Sequence, residues 1–337
     1  MSVLDDLQSR AAAHPAHIVL SEGFDPRIAA AAIRAVDAGL GQITLVGDTG
    51  VVTEHLAGMG AAPSEMLQIA DPATSPLTRE VAQTYFDLRQ HKGVTRDMAD
   101  KQAHDPLVFA AMLVRLGHAD GTVGGAVATT SDTVRAALQI IGKAADAPLV
   151  SSFFLMVLPE GHASGRGAMI FSDCGLVIDP SAPELAAIAA QSAASCRALM
   201  AQTPKVALLS FSTMGSARHA AVTKVTDALA QLRTNHPDLA ADGELQFDAA
   251  FVPSVGASKA KGSDVAGHAN VMVFPNLDAG NIGYKIAQRV GGCTAIGPVL
   301  QGLAKPANDL SRGCTADDVV HMIAVTALQA AALKERT

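Results

Sequence analysis

The segment Val273-Phe-Pro-Asn-Leu-Asp-Ala-Gly-Asn-Ile-Gly-Tyr-Lys-Ile-Ala-Gln-Arg289 decides the fold class of this chain. An apolar run at 271–274 predicts a buried strand, which is followed by a polar turn and by a helix predicted over 280–290. Units of this kind join parallel strands through a helix that covers one face of the sheet. The segment therefore predicts an α/β fold.

The same alternation continues outward from this segment in both directions. Short aliphatic runs alternate with alanine-rich segments of helical period. The predicted strands are 17–20, 43–47, 67–70, 121–127, 150–158, 168–172, 205–211, 245–252, 271–274 and 294–297. The main predicted helices are 25–38, 78–90, 106–116, 132–141, 182–201, 217–235, 280–290 and 316–334. Ligands of such folds bind at the carboxyl ends of strands, so we expect functional residues in the loops that follow them.

Two interruptions predict the domain boundaries. The alternation breaks at 143–149, and glycine and proline cluster at 297–306. The helix after the second break cannot form a domain alone, so we expect it to pack on the first half of the chain. We therefore predict one discontinuous domain, 1–145 plus 299–337, and a second domain, 146–298.

Composition disfavours several classes of protein. The chain has 337 residues, of which 49% are apolar and 17% charged, and its mean hydropathy is +0.26. These values are typical of a globular protein. A net charge of −7, a pI near 5.8, the lack of tryptophan and a 4% aromatic content disfavour partners such as nucleic acid or an anionic membrane.

The lack of targeting signals, together with the cysteine spacing, predicts a cytoplasmic protein. No run of about 18 apolar residues is evident, so we expect no transmembrane helix. The N-terminal residues include acids and lack an apolar core, which argues against a signal peptide. The cysteines have no CxxC spacing, so neither a disulfide framework nor a zinc ribbon is expected. They are Cys174, Cys196, Cys293 and Cys314.

The familiar cofactor and hydrolase motifs are missing. The sequence has no GxGxxG after an early strand, no Walker loop, no GxSxG and no HExxH. Its histidines form no tight group with cysteines or acids, so we expect no metal site. The sequence therefore favours a transferase or a binding protein without a tightly bound cofactor.

Two segments combine bases, glycines and hydroxyls in a way that suits anions. Around 273–289, Gly280 and Gly283 are expected to let backbone N–H groups approach a ligand near a helix start, with Lys285 and Arg289 on one face. The alternative is a tight turn with two solvated bases. At 128–135, hydroxyls precede an arginine at a helix start, which suits phosphate. There the alternative is an ordinary N-cap at position 131 or 132.

The loop before the last helix carries a hydroxyl, a guanidinium and a carboxylate. Ser311, Arg312 and Asp318 could serve proton transfer beside an anionic centre. Thr315 is predicted to cap the helix, and Asp318 stands three residues later, so a capping box is an alternative reason for the acid. The basic segment 88–93 ends in glycine and is also explained as an ordinary helix end.

Several segments together identify a family resemblance. GNIGYKIAQR, GPVLQGLAKPANDLSRGCTADD, ATTSDTVRAALQIIG, LRQHKGVT and LSEGFDPR resemble the phosphate acetyltransferase (phosphotransacetylase) family, over about 17–332. The resemblance implies the reaction CoA + acetyl phosphate ⇌ acetyl-CoA + phosphate. It also implies two α/β domains similar to the isocitrate/isopropylmalate dehydrogenase fold, an active site in the cleft between them, and a homodimer. CoA and acetyl-CoA are then substrates, as are acetyl phosphate and phosphate.

Matching motif positions assign roles by resemblance. Ser311, Arg312 and Asp318 match the catalytic loop of the family. Residues that match substrate or phosphate contacts are Arg135, Arg289, Ser131, Thr130, Gly283 and Tyr284. Arg89 matches an arginine linked to CoA. The segments 161–167 and 256–264 match nothing that we can place.

Three alternatives remain open. A phosphate butyryltransferase would use the same chemistry with a larger acyl pocket. A catalytically silent homologue that senses acetyl-CoA is disfavoured because Ser311, Arg312 and Asp318 are all present. A dehydrogenase of the resembled fold is disfavoured because no metal-binding carboxylate cluster is identifiable.

For the transferase we expect direct attack by the CoA thiolate, with no cysteine nucleophile. Cys314, near Arg312 and a helix start, could nevertheless have a lowered pKa.

Overall fold

The computed structural model describes residues 2–335, which form two compact units. Unit A comprises Leu4–Ala145 and the segment from Leu303 onward, and unit B comprises Asp146–Gly302 with Ser2 and Val3. Each unit contains a β-sheet with helices packed on it. The predicted α/β class is therefore confirmed.

The described strands and helices alternate along most of the chain. The strands are β1 (Ile18–Leu20), β2 (Ile43–Val46), β3 (Leu67–Ala70), β4 (Gly121–Gly124), β5 (Ser151–Val157), β6 (Ala168–Ser172), β7 (Val206–Leu209), β8 (Ala241–Leu245), β9 (Val271–Val273), β10 (Thr294–Gln301) and β11 (Ala307–Asp309). The helices are α1 (Val3–Ala12), α2 (Pro26–Asp37), α3 (Thr49–Gly58), α4 (Thr78–Arg89), α5 (Arg96–Gln102), α6 (Pro106–Leu116), α7 (Thr130–Ala136), α8 (Ala182–Met200), α9 (Ala220–Asn235), α10 (Phe247–Phe251), α11 (Pro253–Lys259), α12 (Leu277–Arg289) and α13 (Ala316–Lys334).

Unit A is built on a parallel five-stranded sheet in the order β11-β4-β1-β2-β3. The strands are short, and β1, β2 and β4 are buried along their whole length. Because the strands are parallel, the loops after β11, β4 and β1 leave the same edge of the sheet side by side. This carboxyl edge carries most of the residues that the sequence marked as functional.

The last helix of unit A bears on the expectation that the chain has no transmembrane helix. By length and composition α13 could cross a membrane, since an 18-residue window has a mean hydropathy of 1.3. In unit A this helix packs on α2 and β4, and 56% of the window is buried. Its apolar side chains are therefore covered by protein, as in the core helix of a globular unit.

Unit B contains a six-stranded mixed sheet in the order β10-β5-β6-β9-β7-β8. β5 is antiparallel to both of its neighbours, whereas β6, β9, β7 and β8 are mutually parallel. One hydrophobic core of this unit lies between the sheet, α10, α11 and α12, while α8 and α9 also pack on the sheet. β10 has only β5 as a neighbour and forms one edge of the sheet.

Several predicted boundaries are wrong. A strand was predicted at 245–252, but the observed strand, β8, ends at Leu245 and is followed by α10. The sequence of β8 is ADGEL. β8 tolerates its acids because Arg233 donates to Asp242 and the Ser212 hydroxyl donates to Glu244. The strand β11 was missed. α7 and α12 begin two and three residues earlier than predicted.

The two segments that matched nothing are structural. The Arg166 guanidinium, from 161–167, donates to the carbonyls of Phe251, Gly267 and Ala269 and lies over the Phe251 ring. In 256–264, Gly256 packs directly against the backbone of 266–267. Both segments therefore hold the chain around Phe251 and 266–269 of unit B in place.

Gly280 gives a test of helix packing in unit B. A Cβ at Gly280 would overlap the carbonyl oxygen of Asp173, whereas Gly58, also in a helix, has open space around it. We expect Gly280→Ala to lower the free energy of unfolding by about 1–3 kcal/mol through overpacking. Gly58→Ala should raise it by roughly 0.5–1 kcal/mol. Urea unfolding measures both, and equal shifts would contradict the packing role of Gly280.

Candidate active site

A buried carboxylate fixes the loop after β4. Glu22, in the loop after β1, is 3% exposed. Its Oε2 accepts the N–H groups of Gly125 and Ala126 at 2.8 and 2.7 Å, and its Oε1 accepts those of Val127 and Ala128 at 3.0 and 2.7 Å. These four donors serve Glu22 and not a ligand. The loop therefore reaches α7 in a fixed conformation.

Arg27 joins three loops of the carboxyl edge. Its Nη1 donates to the carbonyls of Arg312 (2.8 Å) and Cys314 (3.0 Å), and its Nη2 donates to the carbonyl of Ala126 (2.9 Å). Its Nε and Nη2 also bind the carboxylate of Asp25, which caps α2. This contact holds the pKa of Asp25 below its ordinary value. Arg27 therefore positions the backbone of the loop that carries Ser311 and Arg312.

The loop before α13 has the predicted cap and two exposed polar side chains. Asp318 Oδ2 accepts from the N–H and the hydroxyl of Thr315 at 2.8 and 2.9 Å, and Thr315 Oγ1 accepts the Asp318 N–H at 3.2 Å. The predicted capping box is thus confirmed. Ser311 and Arg312 are exposed, and the Ser311 hydroxyl accepts the Gly313 N–H. The cap fixes the orientation of the Asp318 carboxylate.

α7 carries the hydroxyl-rich segment. Its N-cap is Thr129 rather than residue 131 or 132, because helical geometry begins at Thr130. The Arg135 guanidinium donates to Asp132 Oδ1 at 2.7 Å and to the Ser131 hydroxyl at 3.2 Å. The side chains of this pair are about half exposed. Arg135 therefore lies at the surface with its charge partly shared.

Parallel strand pairing brings the loop before α13 and the start of α7 to the same edge of the sheet, whereas Arg89 lies elsewhere. Ser311 and Arg312 follow β11, and the α7 residues follow β4, the neighbouring strand. Arg89 instead ends α4. Its Nε is buried, and no hydrogen bond to it is found within 2–335. Gly93, with φ of +84°, closes this basic helix end as expected.

The glycines of α12 have a different role from the predicted one. Asn276 caps this helix, so Gly280 and Gly283 lie inside it and not at its start. Gly280 packs against the backbone of Asp173, and Gly283 packs against the Phe274 ring. The N–H of Gly280 bonds to the Asn276 carbonyl. The prediction that these glycines bring backbone N–H groups to a ligand is therefore wrong.

Tyr284 and Arg289 occupy the rest of α12. The Tyr284 ring stacks on Phe154 with centroids 3.9 Å apart, and its burial raises the pKa of its hydroxyl. Arg289 is exposed in the last turn, about 18 Å along the axis from Leu277 at 1.5 Å per residue. Lys285 and Arg289 share a face, as predicted, and Lys285 binds Asn281. Tyr284 is thus anchored in unit B, whereas Arg289 is solvent-accessible.

Asp173 organises the loop beside α12. Its buried carboxylate accepts N–H groups from Ser152 and from 175–177 at 2.7–3.1 Å. The Asn281 amide donates to the Cys174 carbonyl in the same loop. Sequence reasoning missed Asp173, Glu22 and Arg27. Glu22 and Arg27 lie in LSEGFDPR, one of the segments that carry the family resemblance, whereas Asp173 lies in none of them.

Burial acts on all four cysteine thiols in the same direction. Burial raises the thiol pKa of Cys314, so the lowered pKa considered from its position is wrong. Burial likewise raises the thiol pKa of Cys174, Cys196 and Cys293. Among residues 2–335, no three histidine, cysteine or acidic side chains are grouped as metal ligands would be.

Comparison with known proteins places the chain in a family. Residues 2–327 match the family described as phosphate acetyl/butaryl transferase. A phosphate acetyltransferase of Paracoccus denitrificans is 53% identical over 329 residues, covering 98% of this chain and 99% of that protein. A phosphotransacetylase structure from Streptococcus pyogenes superposes with a TM-score of 0.91 at 43% identity, covering 98% of each chain.

A more distant structure shows the fold alone. It is described as a 4-hydroxythreonine-4-phosphate dehydrogenase of Salmonella typhimurium and is 13% identical, with a TM-score of 0.51 over 94% of this chain and 99% of that chain. This similarity agrees with the expected dehydrogenase-like architecture. By its sequence and by the fold of its described residues, the chain belongs to the phosphate acetyl- and butyryltransferase family.

Proposed function

We propose that this protein is a phosphate acetyltransferase, which moves an acetyl group between phosphate and CoA. The observation that carries the proposal is the 53% identity, over nearly the whole length of both chains, with a phosphate acetyltransferase. The loop of Ser311, Arg312 and Asp318 at the carboxyl edge of unit A supports it. CoA is then a substrate, and no tightly bound cofactor or metal is proposed.

The proposed reaction is a single displacement. Asp318 takes the thiol proton of CoA, and the sulfur attacks the acetyl carbonyl. The Ser311 hydroxyl donates to the developing oxyanion, after which the bond between the carbonyl carbon and the phosphate oxygen breaks. Arg312 and Arg135, with the hydroxyls of Thr130 and Ser131, stabilise the departing phosphate. Arg289, in unit B, is proposed as a substrate contact from the resemblance alone.

The proton transfer needs help from the surroundings. A free thiol has a pKa of about 8.5 and a free aspartate one of about 3.9, so complete transfer costs about 6 kcal/mol. A cation beside the sulfur lowers this cost by stabilising the thiolate. Arg312 is exposed and lies six residues before Asp318, in the loop that leads into α13. We therefore assign Arg312 to the sulfur as well as to phosphate.

Three further roles come from the resemblance. Arg89 is proposed to bind CoA, whose phosphates suit a guanidinium. Tyr284 is proposed to act as a substrate contact, and Gly283 is proposed to position α12, which carries Tyr284, by packing on Phe274. We also propose that the protein works in the cytoplasm on small molecules, with its two units as functional domains.

The surface of α12 supports a homodimer. Ile282, Ile286 and Val290 are 57%, 56% and 83% exposed and are spaced four residues apart, so they form one apolar stripe. We expect light scattering to give twice the 34.5 kDa mass of one chain. Ile286→Glu should shift the mass to the monomer, and Val51→Glu, on exposed α3, should not. Dimers in both variants would remove the stripe from the interface.

A CoA-dependent assay tests the function. With acetyl, propionyl and butyryl phosphates, we expect the highest kcat/KM with acetyl phosphate. Ser311→Ala should lower kcat about 10²–10³-fold, as loss of one oxyanion donor does. Thiol consumption in the presence of each acyl phosphate is the measurement, and Ser64→Ala, at a turn far along the chain from the site, is the control.

The outcomes separate the alternatives. A preference for butyryl phosphate would indicate a phosphate butyryltransferase. No turnover with any acyl phosphate, together with binding of acetyl-CoA, would indicate a sensor. Exchange of phosphate into acetyl phosphate without CoA would contradict the single displacement.

Asp318 has two roles that variants separate. Asp318→Asn keeps the shape of the side chain but removes the base, so kcat should fall about 10²-fold or more. Thr315→Val breaks the cap and should cost mainly stability, about 1 kcal/mol. Turnover per folded molecule and the melting temperature are compared for both. If Asp318→Asn loses only as much kcat as Thr315→Val, Asp318 is a cap and not a base.

A further inference from the structure

A second buried carboxyl lies beneath the hydroxyl-rich helix. Asp309 is the last residue of β11, two residues before Ser311, and is fully buried. Its Cα pairs with Gly124, and the backbone of Gly125 packs so closely that a Cβ there would overlap Asp309 Oδ1. Within residues 2–335, neither carboxyl oxygen has a hydrogen-bond partner of normal geometry.

Its neighbours come from three elements. Glu22, from the loop after β1, is the charged group that acts on Asp309. The hydroxyls of Thr130 and Thr133, from α7, and the N–H of Leu310 lie close enough to lower the pKa of Asp309, because they can donate to its ionised form. Gly125 touches both acids, because its N–H donates to Glu22.

The two acids differ in their donors. Glu22 has four N–H groups that stabilise its charge, whereas Asp309 has none at normal hydrogen-bond geometry. When two carboxyls share a buried site, the one without donors keeps the proton. Accordingly, burial raises the pKa of Asp309 to about 7; the hydroxyls of Thr130 and Thr133 lower it by less, and the charge of Glu22 adds to the rise.

We propose that Asp309 is a positioning residue that, in its protonated form, directs the Thr130 hydroxyl toward the phosphate group of the substrate. The inference rests on the proposed function, in which the α7 segment binds that group. A protonated Asp309 donates its O–H to Thr130 Oγ1, which leaves the Thr130 proton free to donate to a phosphate oxygen. An ionised Asp309 instead accepts that proton and adds a negative charge beneath the anion. Anion affinity therefore falls as the pH rises through neutrality.

Sulfate is the probe, because it remains a dianion from pH 6 to 9. We measure its inhibition constant against acetyl phosphate across this range. For the unmodified enzyme, we expect the constant to rise several-fold from pH 6 to pH 8.5. Asp309→Asn donates an N–H to Thr130 at every pH, so its constant should stay near the pH 6 value of the unmodified enzyme. Asp309→Ala removes both the donor and the charge, so its constant should not depend on pH.

Two further variants keep the test decisive. Thr130→Val removes the hydroxyl that transmits the effect, so sulfate should bind at pH 6 as weakly as it binds the unmodified enzyme at pH 8.5. Arg135→Gln tests the anion site itself. If Arg135→Gln weakens sulfate but Asp309→Asn keeps the pH dependence of the unmodified enzyme, the inference about Asp309 is wrong and the proposed site stands. If Arg135→Gln changes nothing, the proposed anion site is wrong.

Melting temperatures give a readout that does not depend on activity. The pKa of Asp309 is higher in the folded chain than its ordinary unfolded value, so the unfolded state loses its proton first as the pH rises. Stability from this group is therefore full below pH 4 and falls up to about pH 7. Asp309→Asn should flatten this decline between pH 5 and pH 7. An unchanged slope would overturn the assignment of the proton to Asp309.

Discussion

The carboxyl edge of unit A depends on the four N–H groups that converge on Glu22. A buried carboxylate is costly unless donors replace its water, and here consecutive backbone groups do so. The loop can therefore adopt one conformation only, with Gly125 in the left-handed region at φ of +99°. That conformation determines where α7 begins. It also places Ala126 so that its carbonyl accepts from Arg27.

Unit B uses the same device. Asp173 follows β6 as Glu22 follows β1, and backbone N–H groups of its own loop surround it. α12 rests on this loop through Gly280 and Asn281. In both units, an acid after a central strand shapes the loop on which a helix with proposed substrate residues is packed. The acids therefore act on structure, and their effect on ligands is indirect.

The sequence predicted those features that depend on local pattern. β3, β6, α6 and the helix α13 have the predicted bounds, because apolar periodicity and flanking turns define them. The Thr315–Asp318 cap was also predictable, since both partners lie within four residues. β8 was not predictable, because its acids are satisfied by Ser212 and Arg233, whose positions only the folded chain determines.

The same limit explains which site residues were missed. Glu22 bonds to residues about a hundred positions away, and Arg27 reaches across 285 positions to Arg312. No spacing rule in a single sequence reveals such partners. Gly280 and Gly283 were misassigned for a related reason. A glycine needed for helix packing and one needed for ligand approach look alike until the neighbouring backbone is known.

Donors close to individual acids explain how a protein with a net negative charge can present the proposed anion site. The net charge of −7 is spread over the chain, but three acids of the carboxyl edge have donors of their own. Glu22 is satisfied by backbone dipoles, and Asp25 by Arg27. Asp132 pairs with Arg135 at the surface, where water screens the ion pair. At the proposed site, a phosphate group would therefore compete with Asp132 for Arg135, and the proposed protonation of Asp309 would control the remaining local charge.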